Sequence, residues 1–256
     1  NWSNKAGWEK IKNNNITLPT INKQIAFLYM ENYINVLEVE YIEMLDDYLQ
    51  ERNLKDCALT KYDEKILDMF EKLNSTDSSA VKWGKVPISS IFTLSSSKKK
   101  FNANTVEFGG EYPYVDRGES NNGIKGYITE DKKYLNSAST ISFGQDTATM
   151  FYQKNPYFTG DKIKVLNTKN VKLDKYKALY LITSMKRSFS TFSWGSSSFN
   201  ETVLKETQIQ IPIKNKEVDY QFMSEFIRVI EKSIIEDLVE WIDGKMDGTK
   251  EGILNV

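Results

Sequence analysis

The sequence predicts an α+β fold, a loop-rich mixed α/β domain carried between two long helices. Three observations predict it. Residues 16–49 and 209–242 are near-duplicates that align without a gap, 193 positions apart. Each copy carries an apolar pattern of helical period. From Val81 onward the texture changes to short β-type runs separated by Gly, Asn and Asp. Solenoid repeats run to roughly 20–50 residues, so this spacing means two copies of one element with a separate domain inserted between them.

Within the duplication, Pro19 falls on Pro212, Asn22-Lys23 on Asn215-Lys216, Met30 on Met223, Ile34 on Ile227, Val36 on Val229, Glu38 on Glu231, and Ile42-Glu43 on Ile235-Glu236. The other swaps conserve bulk, with Phe27 for Tyr220, Tyr33 for Phe226, Leu37 for Ile230 and Tyr48 for Trp241. Each copy opens with a β-like apolar-Pro stretch and a polar turn before a long amphipathic run. In the first run Met30, Ile34, Leu37, Tyr41, Met44 and Tyr48 are spaced as the a and d positions of a coiled-coil seam. The second repeats it as Met223, Ile227, Ile230 and Ile234, then drifts toward Leu238 and Trp241. Glu38, Glu43, Asp46 and Asp47 form the face opposite, matched by Glu231, Glu236 and Glu240. A helix over 26–50 is about 38 Å long at ~1.5 Å per residue. The two are expected to pack on each other as a rod; two surface helices lying on a globular core are the plainer alternative.

Upstream of the copies, Trp2 to Trp8 and Trp194 to Phe199 each bracket a polar stretch, so the duplication extends further. Residues 1–21 are then expected to be the tail of a domain like the internal one. Residues 22–80 hold the first helical region and a linker, 81–212 the inserted domain, and 213–256 the second helical region. Thr60, with Asp63 and Glu64 in the following turn, caps another helix carrying Ile66, Leu67, Met69, Phe70 and Leu73. The polar run 74–80 is the clearest boundary. Strands are expected at 86–94, 112–116, 124–128, 138–143, 148–153 and 162–166, and one helix at 174–185 capped by Asp174.

Composition narrows the function. The 256 residues contain no histidine, which excludes a Ser-His-Asp triad, a Cys-His pair and a His-ligated zinc. The single cysteine, Cys57, excludes an internal disulfide and fits a reducing cytoplasm. No apolar run approaches ~18 residues, so no membrane span is expected. The chain begins at Asn1, as a fragment or a processed chain would. A net charge of −1 hides a sorted distribution: +8 over 81–212, −5 over 1–80 and −4 over 213–256. The basic insert can approach phosphate, whereas the acidic helices are repelled by it and remain available to protein partners.

Three polar stretches of the insert are candidate DNA contacts. Ser95 and Ser96 with Lys98, Lys99 and Lys100 combine hydroxyls and cations suited to phosphate; a solvated surface loop is the alternative. In the run 109–128, Arg117 can meet guanine bidentately and Asn121 and Asn122 can meet adenine, with Ser120 and Lys125 beside them. Against this, Asn122-Gly123 is also what a tight turn requires. Lys186, Arg187 and Ser188 form a third basic stretch, or simply a helix C-terminus satisfied by cations. Asn155-Pro156-Tyr157-Phe158 lacks the second proline of an amino-methyltransferase signature. Asp116 with Glu130-Asp131-Lys132 matches a nuclease metal core only loosely. No catalytic or metal-binding residue is therefore expected, and none of these stretches cradles a cofactor.

Taken together, the duplicated helices (22–38 and 215–231) and the stretches 112–128 and 141–166 resemble the specificity subunits of type I restriction–modification systems. The relatives that pair with a fused methyltransferase–nuclease are the most similar in character. The resemblance implies target-recognition domains joined by two helices in an antiparallel coiled coil. Each domain would read one half of a split DNA target, and the helices would dock methyltransferase and possibly nuclease subunits. S-adenosylmethionine, ATP and magnesium would belong to those subunits, and self-association is compatible with the plan. The ~38 Å rod would match one ~34–36 Å turn of DNA. The chain departs from that plan in having one recognition domain and the tail of another. A coiled-coil scaffold that binds protein, and an enzyme acting alone on DNA, are the competing readings.

Overall fold

The computed structural model describes residues 7–12, 14–72, 82–190 and 201–253. The linker 74–80 and the aromatics Trp2, Trp194 and Phe199 lie outside the described residues. The fold is mixed α+β, as predicted, and divides into two compact units, Asn1–Ala58 with Ile234–Val256, and Leu59–Ser233. The first unit opens with the single turn α1 (Trp8–Ile11), the hairpin β1 (Thr20–Ile21) and β2 (Gln24–Ile25), and the long helix α2 (Phe27–Glu51).

The second unit begins with α3 (Lys61–Glu71), capped as its sequence dictates. The Thr60 hydroxyl accepts from the Asp63 N–H at 3.2 Å, and the Asp63 carboxylate accepts from the Thr60 N–H at 2.9 Å. Asp63 also accepts from Lys232 Nζ at 2.7 Å. That bond first, then the Thr60 N–H, holds its carboxyl below the usual carboxylate range. The chain continues through β3 (Lys82–Pro87), α4 (Ile88–Ile91), β4 (Phe92–Ser96), β5 (Phe108–Val115), β6 (Ile124–Ile128), β7 (Thr140–Gly144), β8 (Met150–Gln153), β9 (Phe158–Thr159) and β10 (Ile163–Thr168). It closes with α5 (Lys175–Phe189), α6 (Glu201–Glu206), β11 (Gln208–Lys214), β12 (Glu217–Val218) and α7 (Tyr220–Ile253), which runs on into the first unit.

Three sheets form the second unit. An antiparallel sheet has the order β4-β10-β7-β8, a second has β12-β11-β3, and a third has β6-β5-β9, with β9 parallel to β5. The main core sits between the first sheet, α5 and β11, and is built from Ile141, Phe143, Leu181, Met185, Ile209 and Ile211 among others. Met223 is buried in this core and Ile227 packs against it.

Several expectations are corrected. The single strand over 86–94 is two strands separated by a helical turn. Pro87 stands at the N-cap of that turn, and Ile88 and Ile91, three apart, both point into the core. β5 starts earlier than expected because Gly109 adopts φ +108° and Gly110 lies against the backbone of Ile128, where a Cβ would sit 2.1 Å from a carbonyl carbon. β9 and α6 are too short to leave a periodic signal. The helix capped by Asp174 runs past 185 to Phe189, so Lys186, Arg187 and Ser188 form its last turn, the helix C-terminus given as the alternative for that stretch.

The duplication is structural as well as sequential. Asn22-Lys23 and Asn215-Lys216 both take left-handed φ, at 52° and 64° and at 51° and 70°, as a two-residue hairpin turn with both central residues at positive φ requires. Ala26 N–H donates to the Pro19 carbonyl at 2.9 Å, and Asp219 N–H donates to that of Pro212 at 3.0 Å. Tyr29 stacks on Tyr33 as Phe222 stacks on Phe226.

In the first unit the helices do touch, but not along the expected seam. Ile42, Leu49 and Ile242 are buried, with Leu45, Leu54, Leu238, Val239 and Met246 packed around them. Ile34, Tyr41, Met44, Tyr48, Ile234 and Trp241 are exposed, and Leu37 is half-buried. Met223 and Ile227 serve the core of the second unit, where Ile230 is half-buried. Asp46, expected on the outer face, is buried with Lys55 and Gln50 as its partners. The physical reason is that α2 carries two overlapping apolar stripes one residue apart. Periodicity fixes the spacing but not the phase. The stripe rich in tyrosine tolerates water at its hydroxyls, while the aliphatic one does not.

Candidate nucleic-acid interface

Segments at the ends of β4, β5 and β9 converge with the β7–β8 turn on an open groove of about 830 Å³. It is lined by Lys100, Asn102, Tyr114, Asp116, Arg117, Gly118, Lys125, Thr147 and Asp161 among others. The Tyr114 hydroxyl donates to the Phe101 carbonyl at 2.8 Å and fixes the floor. Each cation here has a carboxylate beside it. Arg117 Nη1 and Lys162 Nζ reach Asp146 at 2.6 and 2.7 Å, Lys100 reaches Asp161 at 2.9 Å, and Lys125 reaches Asp116 at 3.7 Å. The carboxyl of Asp146 is held below its usual range by Lys162 first and Arg117 second, and that of Asp161 mainly by Lys100.

The structure distributes the sequence candidates unevenly. Arg117, Lys100 and Lys125 line the groove. Lys99 spreads its ammonium over the rings of Phe101 and Tyr134 at 4.5 and 4.7 Å, a cation–π placement. Lys98 is held by its backbone N–H to Asn136 Oδ1 at 3.1 Å, and its ammonium forms no ion pair among the described residues. Ser95 and Ser96 belong to β4 and face across the ladder. Ser95 Oγ donates to the Val165 carbonyl, and Ser96 Oγ accepts from Lys164 Nζ at 2.9 Å.

Asn121 and Asn122 are occupied with structure. Both take left-handed φ, and their amide groups donate to the carbonyls of Ile124 and Tyr152, each at 2.9 Å. The Ser120 carbonyl accepts from the Gly123 N–H. Arg187 and Ser188 line a separate cleft of about 350 Å³ with Phe70, Trp83 and Phe226. The Ser188 hydroxyl there donates to the Gln208 carbonyl at 2.9 Å. Lys186 is exposed in the same helical turn and lines neither cavity.

Sequence reasoning missed Asp146 and Asp161, which pair Arg117 and Lys100, missed Lys162, which shares Asp146, and weighed Asp116 only as a metal ligand and not as the partner of Lys125. The available signal was punctuation, since Gly144-Gln145-Asp146 and Gly160-Asp161-Lys162 each interrupt an apolar run. The Asn155-Pro156-Tyr157-Phe158 stretch turns inward. Tyr157 is buried against Thr140, and burial pushes its hydroxyl up to about 12. Among the described residues no group of three or more Cys, Asp or Glu could hold a metal ion, and no helix is long and apolar enough to cross a membrane.

A family model described as the type I restriction modification DNA specificity domain matches residues 80–240, a span that includes the whole groove. The chain belongs to this family. Over 176 residues it is 29% identical to the specificity subunit S.BcgI of a type II restriction enzyme from Heyndrickxia coagulans, covering 65% of this chain and 49% of that protein. The specificity-family chain thus spans about half the length of that curated relative. Among solved structures it is similar to a type I S subunit from M. genitalium, at 18% identity and a TM-score of 0.48, covering 84% of this chain and 56% of that one. The HsdS subunit from Thermoanaerobacter tengcongensis is similar at 10% identity and a TM-score of 0.42, covering 86% of this chain and 53% of that one.

Proposed function

We propose that this chain is a non-catalytic DNA sequence-recognition part of a type I-like restriction–modification system. Residues 81–212 read one half of a split double-stranded target, and the helical regions dock methyltransferase and nuclease subunits in the cytoplasm. S-adenosylmethionine, ATP and magnesium belong to those partners. The observation that carries the reading is the coincidence of the family match with the unit that gathers Lys100, Arg117 and Lys125 on one groove. The paired cations suit hydrogen-bonded reading of base edges, while Lys98 and Lys99 beside them suit phosphate.

The first copy of the duplication supports a second recognition domain seated on α2. Ile16, Tyr29 and Val36 are 78%, 56% and 55% exposed, whereas their counterparts Ile209, Phe222 and Val229 are 0%, 2% and 2% exposed. The second copy shows what such a face is made to cover. Phe222 and Val229 pack with Ile66 of α3, and Phe226 lies 4.0 Å from the ring of Phe70. The same face on the first copy fits a domain of the same kind, with residues 1–21 as its tail, and self-association is one way to supply it.

Selection from a randomised duplex library tests the reading. Enrichment of one half-site, with an affinity that falls steeply as salt rises, is the expected result. Binding that is indifferent to sequence and flat with salt would favour the protein-binding scaffold.

A further inference from the structure

Within the proposed reading of DNA, we infer that Asp146 is a positioning residue that aims Arg117 at a guanine edge, and that Arg117 with its Asp146–Lys162 clamp sets the preference at one base pair. This rests on the recognition function proposed above. The guanidinium donates to Asp146 Oδ2 at 2.6 Å, and Lys162 binds the same oxygen at 2.7 Å from the other strand end. An exposed ion pair contributes little to stability. What distinguishes this one is how firmly both ends are held.

Asp146 sits in a tight turn closed by Ala148 N–H to the Gly144 carbonyl at 2.8 Å and Gly144 N–H to the Thr149 carbonyl at 2.9 Å. Gln145 N–H binds the Lys162 carbonyl at 3.0 Å, and the hydroxyls of Thr147 and Thr149 meet at 2.8 Å. On the other side, Asp116 N–H binds the Gly123 carbonyl at 2.9 Å and Gly118 N–H binds Asp116 Oδ1 at 2.8 Å, fixing the backbone on both sides of Arg117. Between them the stem of Arg117 lies along Gly144, where an added Cβ would come 3.3 Å from its Cγ. The guanidinium has five N–H donors, and Asp146 engages one nitrogen, so a free edge is left for a guanine O6 and N7. Ordering a long side chain before DNA arrives removes an entropic cost from the recognition step.

The test compares the full chain with Asp146→Asn, Asp146→Ala and Arg117→Ala in library selection, salt titration on random duplex and thermal melting. Arg117→Ala is expected to abolish a G·C preference at one position. Asp146→Ala should weaken that same preference by roughly fivefold or more, leaving the other positions, the salt slope and the melting temperature unchanged. Asp146→Asn, which keeps an acceptor, should fall between. If the Asp146 variants keep the preference, or if they tighten binding to every duplex alike, Asp146 is only a repelling charge and the inference fails while the recognition reading stands. If the unmodified chain enriches no sequence, both fall together. An Arg117 Nη–H signal slow to exchange in the free chain, and lost in Asp146→Ala, reports the clamp independently of DNA.

Discussion

Phe222→Ala and Tyr29→Ala alter the same position of the duplicated element, one copy at a time. Phe222 is almost completely buried, stacked on Phe226 and surrounded by Ile66, Leu67, Met69 and Phe70. Truncating a buried phenylalanine leaves a cavity and costs about 3–5 kcal/mol. At 2–4 °C per kcal/mol for a domain of this size, the melting temperature should drop by roughly 6–20 °C. Tyr29 has more than half its surface in water and loses only its stack on Tyr33, 6.5 Å between centroids. Its truncation should change stability by less than ~0.5 kcal/mol. Thermal melts followed by circular dichroism measure both. Equal destabilisation by the two variants would mean that the first face is already covered, and the argument for a second seat would fail. With a second recognition domain present, Tyr29→Ala should become destabilising, because only then is its ring buried.

Other outcomes follow from the helices and the chemistry. Ile242→Lys should unfold the helix contact of the first unit, since it buries a charge among Ile42 and Leu49, whereas Leu37→Lys should leave circular dichroism unchanged; the reverse order would restore the seam expected from periodicity. Thr60→Ala should cost about 1 kcal/mol through loss of the N-cap. Because the folded carboxyl of Asp63 lies below its usual value, its contribution is present above about pH 4 and is lost as pH falls through the folded value. Asp63→Asn should accordingly flatten the acid limb of a stability–pH curve. Purified chain given S-adenosylmethionine and magnesium should neither methylate nor cleave duplex; activity that survived purification and vanished on mutating Asp116 would overturn the non-catalytic reading.

What was legible in the sequence was whatever repeats or caps locally. The duplicated Asn-Lys turns, the Thr60 and Asp174 caps and the strands expected at 124–128, 138–143, 148–153 and 162–166 are dictated by neighbours a few residues away. The phase of the helix contact was not legible, because Tyr41 and Ile42 are equally apolar to a periodicity count and differ only in how their tips tolerate water. The drift toward Leu238 in the second copy was the one hint. For the site, Arg117 was legible as a cation on a glycine-punctuated loop. Its partner Asp146 lies 29 residues further on, and only the ladder joining β7 to β10 brings Asp146 and Lys162 together. Asn121 and Asn122 had the chemistry of base readers, but left-handed backbone and two carbonyls claimed them.

The buried polar side chains behind the groove carry a consequence for how such a protein changes over generations. Asn136 accepts from the Lys98 N–H and donates to the Tyr157 carbonyl, while Gln153 donates to the Asn122 carbonyl and to Ser142 Oγ. Each reaches from the interior to the main chain of an outer loop. These bonds hold the loops by their peptide groups, beside the Asn121 and Asn122 amides that also hold the second loop. None of these bonds uses the side chain of Lys98, Arg117 or Lys125. On the proposed recognition reading, substitution of those three side chains would change what the loops contact while leaving the bonds made by Asn136 and Gln153 in place.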